Sequence, residues 1–294
     1  MVTPVWMHNW PARLWLVRHG ESSGNVARAL AESGGLSMID IADRDMDVPL
    51  SALGEKQARA LGRWFGRRPQ SERPSVVLYS PYVRALQTGK LLIEAARLTG
   101  SVGNGSRSGG NGAAGNGAVS GNGAGGPGAL DSGAARGLLE IADERLREKE
   151  FGAFHRLTKA GIRAQFPQEA ELRDHVGKFY YRPPGGESWC DVILRLRSVL
   201  DTIQLQYQRE RVLVVAHEIV VLCMRYLIER MTEQQILSID AAGDVANCSV
   251  TEYDYQLDGQ GRHGMALRCY NHVAPLEEEG ARVTDEPDAP AAPR

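Results

Sequence analysis

The chain has 294 residues and a formal net charge of −2, from 34 Lys and Arg against 36 Asp and Glu. This length allows one large domain or two ordinary ones, and the balanced charge argues against nonspecific nucleic-acid binding, which requires an excess of basic residues. The longest apolar stretch, residues 212–224, contains His217 and Glu218 and is shorter than the ~18 residues of a membrane span. We therefore expect a globular protein with neither a nucleic-acid partner nor a membrane partner.

The first third of the chain alternates apolar runs, typical of buried strands, with helical patterns. Residues 1–11 lack the basic start and apolar run of a signal peptide, so we expect them to form an N-terminal extension of a cytoplasmic protein. Strands are predicted at 13–18 and 75–79. Apolar residues recur at helical spacing along 53–67, and a second helix is predicted from Pro81 to about Leu98.

A glycine-rich segment interrupts this pattern. Fourteen of the 33 glycines lie between residues 100 and 133, together with repeated Asn-Gly pairs and almost no large apolar side chains. Such a segment buries too little apolar surface to offset the entropy of ordering it. We therefore predict a flexible insert at 100–134 within a single domain spanning 12–274. A nucleotide-cradling loop is the alternative, but the chain has no G-x-x-x-x-G-K-[ST] motif.

The second half of the chain returns to alternating elements. We predict an edge strand at 137–142, a helix at 188–208 that opens with a capping box, a strand at 211–216, a helix at 218–230, and strands at 248–255 and 265–270. Residues 275–294 carry six acidic residues, two basic residues and four prolines, which predicts a disordered tail. The four cysteines form no C-x-x-C pair and are expected to be reduced thiols: Cys190, Cys223, Cys248 and Cys269.

Three predicted strands are each followed by a helix, which implies crossover connections and a largely parallel sheet. The sequence therefore predicts a three-layer α/β/α sandwich. Ligands of such sheets bind beyond the carboxyl ends of the strands, which is where this chain places two arginines and two histidines: Arg18, His19, Arg84 and His217. Their convergence would favour a dianion, because phosphate oxygens suit the donors of Arg. Asn25 would add an amide donor.

This cluster of cations indicates phosphoryl transfer without a metal ion. Fixed positive charge neutralises the phosphoryl group, and one imidazole can then attack phosphorus to form a covalent phosphohistidine. The leaving alkoxide still needs a proton, so a carboxylic acid must lie opposite the nucleophile.

Several segments resemble motifs of the histidine phosphatase superfamily, whose fold is called phosphoglycerate mutase-like. The similar segments are LVRHGES at 16–22, S-P-x-x-R-A-x-x-T at 80–88, L-R-E-x-x-x-G at 146–152, PPGGES at 183–188, VVAH at 214–217 and NCS at 247–249. They occur in family order between residues 14 and 255. The resemblance implies a phosphohistidine enzyme with no cofactor and no metal ion.

The resemblance also implies a role for each matching residue. His19 is expected to be the phosphorylated nucleophile, and Glu148 the general acid that later activates water as a base. The residues expected to hold the phosphate are Arg18, Arg84, His217 and Asn25.

Most of these assignments have a plainer alternative. His217 follows a buried strand and could be an ordinary core histidine, while Asn25 could be a turn or helix-cap residue. Glu148 lies in a charge-rich segment in which Glu150 is the alternative general acid. Glu218 stands where the family commonly has Gly, so its carboxylate either opposes an anionic substrate or orients His217.

We expect a phosphatase that acts on phosphate monoesters of a small metabolite. Arg182 and Tyr181 are candidates for contacting the substrate beyond its phosphate. A cofactor-dependent phosphoglycerate mutase is the alternative enzyme, although family mutases commonly carry Trp where this chain has Gly24. A noncatalytic phosphate-binding scaffold is the alternative outside enzymes. The sequence leaves open which ester is the substrate and whether the chain forms a homo-oligomer.

Overall fold

The computed structural model describes residues 10–104, 137–257 and 263–286. Within these ranges one sheet has the strand order β3-β2-β4-β1-β5-β6. Its strands are β1 at Arg13–Arg18, β2 at Val76–Tyr79, β3 at Leu139–Ala142, β4 at Arg211–Ala216, β5 at Val250–Leu257 and β6 at His263–His272. The first four strands are parallel to one another, and β5 and β6 add an antiparallel edge. The predicted mostly parallel sheet is confirmed.

The α-helices of the described residues connect and cover these strands. They are α1 at Ser23–Ser33, α2 at Ala52–Arg67, α3 at Val83–Asn104, α4 at Lys159–Gln165, α5 at Pro167–Val176, α6 at Trp189–Gln206, α7 at Glu218–Ile228, α8 at Glu233–Ala242 and α9 at Ala274–Glu277. None of the helices in the described ranges is long and apolar enough to cross a bilayer.

Successive residues of the central strands face two separate cores. Leu14 and Leu16 of β1 pack with residues of α6 and α7 on one face, while Trp15 and Val17 pack with residues of α2 and α3 on the other. This alternation is the period of two expected of a strand. Because helices cover both faces of the sheet, the predicted three-layer α/β/α architecture is confirmed.

The segment 20–25, Gly-Glu-Ser-Ser-Gly-Asn, has the composition of a turn, but α1 begins in its second half. Ser22 is the N-cap: its hydroxyl accepts from the Asn25 amide at 3.1 Å, and the Asn25 side-chain oxygen accepts from the Ser22 amide at 2.9 Å. This capping box satisfies two backbone donors at the helix start. Gly24 and Asn25 are weak helix formers, which is why the local sequence indicates a turn.

The predicted borders of the insert and of the tail need correction. Helix α3 continues to Asn104, beyond the predicted start of the insert at 100, and residues 105–134 lie outside the described ranges, as do residues 1–9. The prediction of a disordered tail is wrong for residues 275–286. Leu276 is fully buried, and the Glu279 carboxylate pairs with Arg63 and Arg67 of α2. Residues 287–294 lie outside the described ranges.

All four cysteines are free thiols. Cys223 and Cys248 are fully buried, and burial raises the pKa of both thiols. Cys190 and Cys269 are half-buried. Neutral, buried thiols of this kind behave as small apolar side chains.

The start of α2 packs against the loop that follows β1, with no room for a methyl group. A Cβ atom at Gly54 would lie 2.0 Å from the carbonyl oxygen of Glu21. We expect Gly54→Ala to lower the free energy of unfolding by about 2–3 kcal/mol, because two backbone segments must separate. Chemical denaturation measures the loss. The matched control is Gly264→Ala, where a Cβ meets nothing within 4 Å; equal stability of the two variants would contradict the prediction.

Candidate active site

The residues predicted to bind phosphate lie where three neighbouring parallel strands end. Arg18 is the last residue of β1 and His19 follows it, His217 follows β4, and Arg84 lies in the first turn of the helix after β2. All four side chains are buried, with at most 2% of each residue exposed. Two guanidiniums at this edge of the sheet are the kind of donors that suit phosphate oxygens.

The contacts of His19 assign the proton on its ring. Nδ1 lies 2.7 Å from the carbonyl oxygen of Gly20, which can only accept, so Nδ1 carries the hydrogen. Nε2 lies 3.2 Å from Nε of Arg84, which can only donate, so Nε2 presents its lone pair. The neutral ring therefore directs a nucleophilic nitrogen at the guanidinium of a predicted phosphate-binding residue.

His217 lies near both the predicted nucleophile and the predicted general acid. Its ring centroid lies 5.2 Å from that of His19, and its Nδ1 lies 3.8 Å from Oε2 of Glu148. The hydroxyl of Ser80, at the end of β2, lies 2.7 Å from the other ring nitrogen, Nε2. Glu148 is 1% exposed. The alternative acid, Glu150, has an exposed side chain that accepts from the Gly152 amide. The structure therefore places Glu148, not Glu150, beside His217.

Arg18 and Asn25 direct donors at one point. The Asn25 side-chain oxygen is used in the helix cap, which leaves its Nδ2 to point away from α1, where it donates to the carbonyl oxygen of Glu286 at 3.1 Å. Nη2 of Arg18 donates to the same oxygen, and Nη1 donates to the carbonyl of Val245. Asn25 is thus both a helix-cap residue and a hydrogen-bond donor beside Arg18. The prediction of a cap residue and the prediction of a donor in the site are therefore compatible.

Arg84 joins the site to a cleft beside it. Its Nη1 lies 3.0 Å from the Asp45 carboxylate, and its guanidinium lies 5.1 Å from the ring centroid of Tyr82. Ser22, Asn25 and Arg84 line the cleft. The rest of its lining includes Arg28, Ile41, Asp43, Phe151, His155 and Arg156. The cleft therefore has both charged and apolar side chains.

Two amide side chains to which the sequence analysis gave no role hold the loop that follows β1, residues 19–21. Gln57, on α2, accepts from the Glu21 amide at 2.8 Å, and Asn247 donates to the carbonyl oxygen of His19 at 3.0 Å. Thr88 accepts from the Gly20 amide at 3.0 Å. Gln57, Asn247 and Thr88 are fully buried. Thr88 and Asn247 lie in the motif segments 80–88 and 247–249, which is the sequence signal that could have found them, whereas no motif segment includes Gln57.

The remaining candidates lie in other surroundings. The Tyr181 hydroxyl donates to Glu169 at 2.6 Å and its ring packs on Phe154 and Leu157, while Arg182 is exposed and pairs with Asp191 at the start of α6. Their predicted contact with substrate stays a prediction. Glu218 opens α7 and accepts from the Val245 amide at 3.4 Å. Its carboxylate therefore supports the backbone that contacts Arg18.

Lys149, next to Glu148, is a buried cation in this region. It is 8% exposed, and its ammonium lies 4.5 Å from the ring centroid of Phe151. Burial lowers the pKa of Lys149 from 10.5 to about 8, against the opposing attraction of Glu148 and Glu187. The folded state therefore disfavours the protonated lysine.

This pKa predicts a specific pH dependence of stability. Below pH 8 both folded and unfolded chains carry the proton, so the folded state bears the full cost of a buried charge. Between pH 8 and 10.5 only the unfolded chain retains the proton, so stability rises with pH. We expect the stability advantage of Lys149→Met over wild type to shrink by about 3 kcal/mol across this range. Urea denaturation at several pH values measures it, with exposed Lys56→Met as control. A constant difference would contradict the prediction.

Sequence comparison relates the chain to a known family. The sequence model of the histidine phosphatase superfamily (branch 1) matches residues 14–102 and 130–266. A 6-phosphofructo-2-kinase/fructose-2,6-bisphosphatase of Gallus gallus is 26% identical over 77% of this chain, and isozyme 3 of Homo sapiens is 37% identical over 30% of it. These matches span 35% and 16% of the two relatives, so the chain corresponds to about a third or less of their length.

Solved structures share the fold. A mycobacterial glucosyl-3-phosphoglycerate phosphatase is 24% identical with a TM-score of 0.58, and the likeness covers 89% of this chain and 99% of that one. An alpha-ribazole phosphatase from Shigella flexneri is 17% identical with a TM-score of 0.57, covering 89% and 96%. The resemblance that the motifs indicated is confirmed. Because the matched family segments make up more than half of the sequence, this protein belongs to the histidine phosphatase superfamily, branch 1.

Proposed function

We propose that the protein is a phosphatase that hydrolyses phosphate monoesters of a small metabolite through phosphorylation of His19. The observation that carries the proposal is the hydrogen-bond geometry of His19, whose Nδ1 lies 2.7 Å from the Gly20 carbonyl oxygen while its Nε2 lies 3.2 Å from Nε of Arg84. The acidic side chain of Glu148 lies beside His217, with Oε2 at 3.8 Å from Nδ1 of that ring. The burial of the proposed nucleophile, of the proposed phosphate donors and of the proposed general acid supports one shared site.

The proposed reaction has two balanced steps. Nε2 of His19 attacks phosphorus while the bond from phosphorus to the ester oxygen breaks, and protonated Glu148 gives its proton to the leaving oxygen. Water then attacks the phosphohistidine, the Glu148 carboxylate takes a proton from that water, and the bond from phosphorus to nitrogen breaks. Arg18, Arg84 and His217 hold the phosphoryl oxygens in both steps, which supplies the fixed charge that the transition state needs.

Phosphorylated sugars and sugar acids are the first substrates to test. The relatives and structural neighbours include proteins named for fructose-2,6-bisphosphate and glucosyl-3-phosphoglycerate. The mixed polar and apolar cleft beside Arg84 suits a polar carbon skeleton attached to the phosphate. A panel of these esters, with release of inorganic phosphate as the readout, ranks them by kcat/KM.

A two-product assay separates hydrolysis from phosphoryl transfer to a second hydroxyl. The protein is incubated with 3-phosphoglycerate and 2,3-bisphosphoglycerate, and free phosphate and 2-phosphoglycerate are both followed. We expect free phosphate to accumulate faster, at a rate that EDTA leaves unchanged. Faster formation of 2-phosphoglycerate would favour the mutase, and an EDTA-sensitive rate would overturn the metal-independent mechanism. Phosphate binding without turnover of any ester would favour a noncatalytic scaffold.

A further inference from the structure

The segment that follows α9 runs into the candidate active site and is held there by two buried amide side chains. Nε2 of Gln57 donates to the carbonyl of Arg282 at 2.8 Å and to the hydroxyl of Thr284 at 2.9 Å. The backbone amide of Asn247 donates to the carbonyl of Thr284 at 2.8 Å, and the Thr284 hydroxyl donates to the side-chain oxygen of Asn247 at 3.0 Å. Thr284 is 5% exposed. The segment is thus anchored by four hydrogen bonds.

The same two side chains support the loop that follows β1, residues 19–21. The other end of the Gln57 amide accepts from the Glu21 backbone, and the other end of the Asn247 amide donates to the carbonyl of His19. Each amide therefore spans from the loop after β1 to the C-terminal segment. This shared network fixes the position of residues 282–284 relative to His19.

Two residues after Thr284, the backbone contacts two of the proposed phosphate donors, Arg18 and Asn25. The carbonyl oxygen of Glu286 accepts from both Arg18 Nη2 and Asn25 Nδ2. These donors come from the end of β1 and the first turn of α1, and they converge on one acceptor oxygen. The Oε2 atom of Glu286 is also buried and has no hydrogen-bond partner among the described residues.

A phosphoryl oxygen held by Arg18 and Asn25 would need the position that the Glu286 oxygen occupies. Two oxygens cannot share it, since each would lie well inside the contact distance of the other. Phosphate and the C-terminal segment must therefore exclude one another at this point. Asp285 is exposed, so residue 286 can leave the site while Thr284 stays anchored.

We infer that the phosphate site also binds the C-terminal segment of its own chain, with the Glu286 carbonyl in place of a phosphoryl oxygen, so that substrate and segment compete. The inference rests on the proposed function only for the identity of the phosphate donors. It makes the segment an internal inhibitor whose release is part of substrate binding.

Binding of inorganic phosphate tests the competition without requiring turnover. Isothermal titration compares the full chain with a chain that ends at Asp285, which retains Leu276 and Thr284. We expect phosphate to bind about tenfold more tightly to the shortened chain, a gain of about 1.4 kcal/mol. The shortened chain ends in a new carboxylate, which repels phosphate. Tighter binding therefore cannot be caused by this carboxylate. Full-length Asp285→Ala, which removes an exposed side chain and leaves the Glu286 carbonyl in the chain, is the matched control and should bind as wild type does.

Equal or weaker phosphate binding by the shortened chain would overturn the inference. Hydrogen exchange in the intact chain gives a second measurement should the shortened chain lose stability. Saturation with orthovanadate should increase exchange in the peptide that contains residues 281–286, and unchanged or slower exchange would also overturn it. Tighter phosphate binding without turnover of any ester would leave the competition standing while the proposed phosphatase function fails.

Discussion

Replacing His19 with alanine is expected to lower the turnover of p-nitrophenyl phosphate by more than about 10³-fold, because the variant has no atom to accept the phosphoryl group. The ring nitrogen that presents its lone pair beside Arg84 is lost, while the cationic donors remain. Steady-state release of p-nitrophenol measures the effect. Rapid quenching with a ³²P-labelled ester should trap label on wild type, stable in base and labile in acid, and no label on the variant.

A histidine outside the site is the matched control for this loss. His175, at the end of α5, is exposed, and His175→Ala should turn over substrate at the wild-type rate. Both variants should melt within a few degrees of wild type. Retained label or retained turnover in His19→Ala would assign the nucleophile to another residue and remove the basis of the mechanism.

Replacing Glu148 with glutamine is expected to lower kcat by about 10²–10⁴-fold for an alkyl phosphate, because the alkoxide must leave without a proton. Glutamine has the same shape and keeps an oxygen to accept from the Lys149 amide, the 2.6 Å contact that Glu148 makes. The loss should be much smaller for p-nitrophenyl phosphate, since p-nitrophenolate is a stable anion. The ratio of kcat values for the two esters therefore reports proton donation specifically.

Glu150→Gln provides the control for this assignment. Its carboxylate is exposed and accepts from the Gly152 amide, with no described contact to either histidine of the site. We expect this variant to keep the wild-type rate on both esters. If Glu150→Gln carried the leaving-group-dependent loss and Glu148→Gln did not, the general acid would be Glu150, and the geometry around His217 would need another explanation.

The strands were the most predictable part of the fold. Strands β1 and β4 have the predicted borders, Arg13–Arg18 and Arg211–Ala216. Their borders are easy to predict because a strand buried on both faces is a continuous run of apolar residues. The edge strand β3 was predicted two residues too long, since exposed side chains mark its borders weakly. Helix α6 was recognisable from its cap, and Ser188 and Asp191 do form the capping box.

The C-terminal segment illustrates what composition cannot show. Its charge and proline content are typical of a solvated tail, yet Leu276 is fully buried and Thr284 lies in the network around the nucleophile. Its contacts to the site are made largely by backbone carbonyls, at Arg282, Thr284 and Glu286. Because every residue has a backbone carbonyl, such contacts do not require particular side chains and cannot be predicted from the sequence.

The sequence by itself determined the family, the layered architecture and the two arginines and two histidines of the candidate site. These follow from local information, since strand periodicity and short motifs at strand ends are read from neighbouring residues. Only the tertiary structure decided that Glu148 rather than Glu150 lies beside His217, that Asn25 both caps a helix and donates a hydrogen bond beside Arg18, and that the carbonyl of Glu286 accepts from both Arg18 and Asn25. Those three facts depend on which residues distant in sequence meet, and the packing of helices on the sheet sets those meetings.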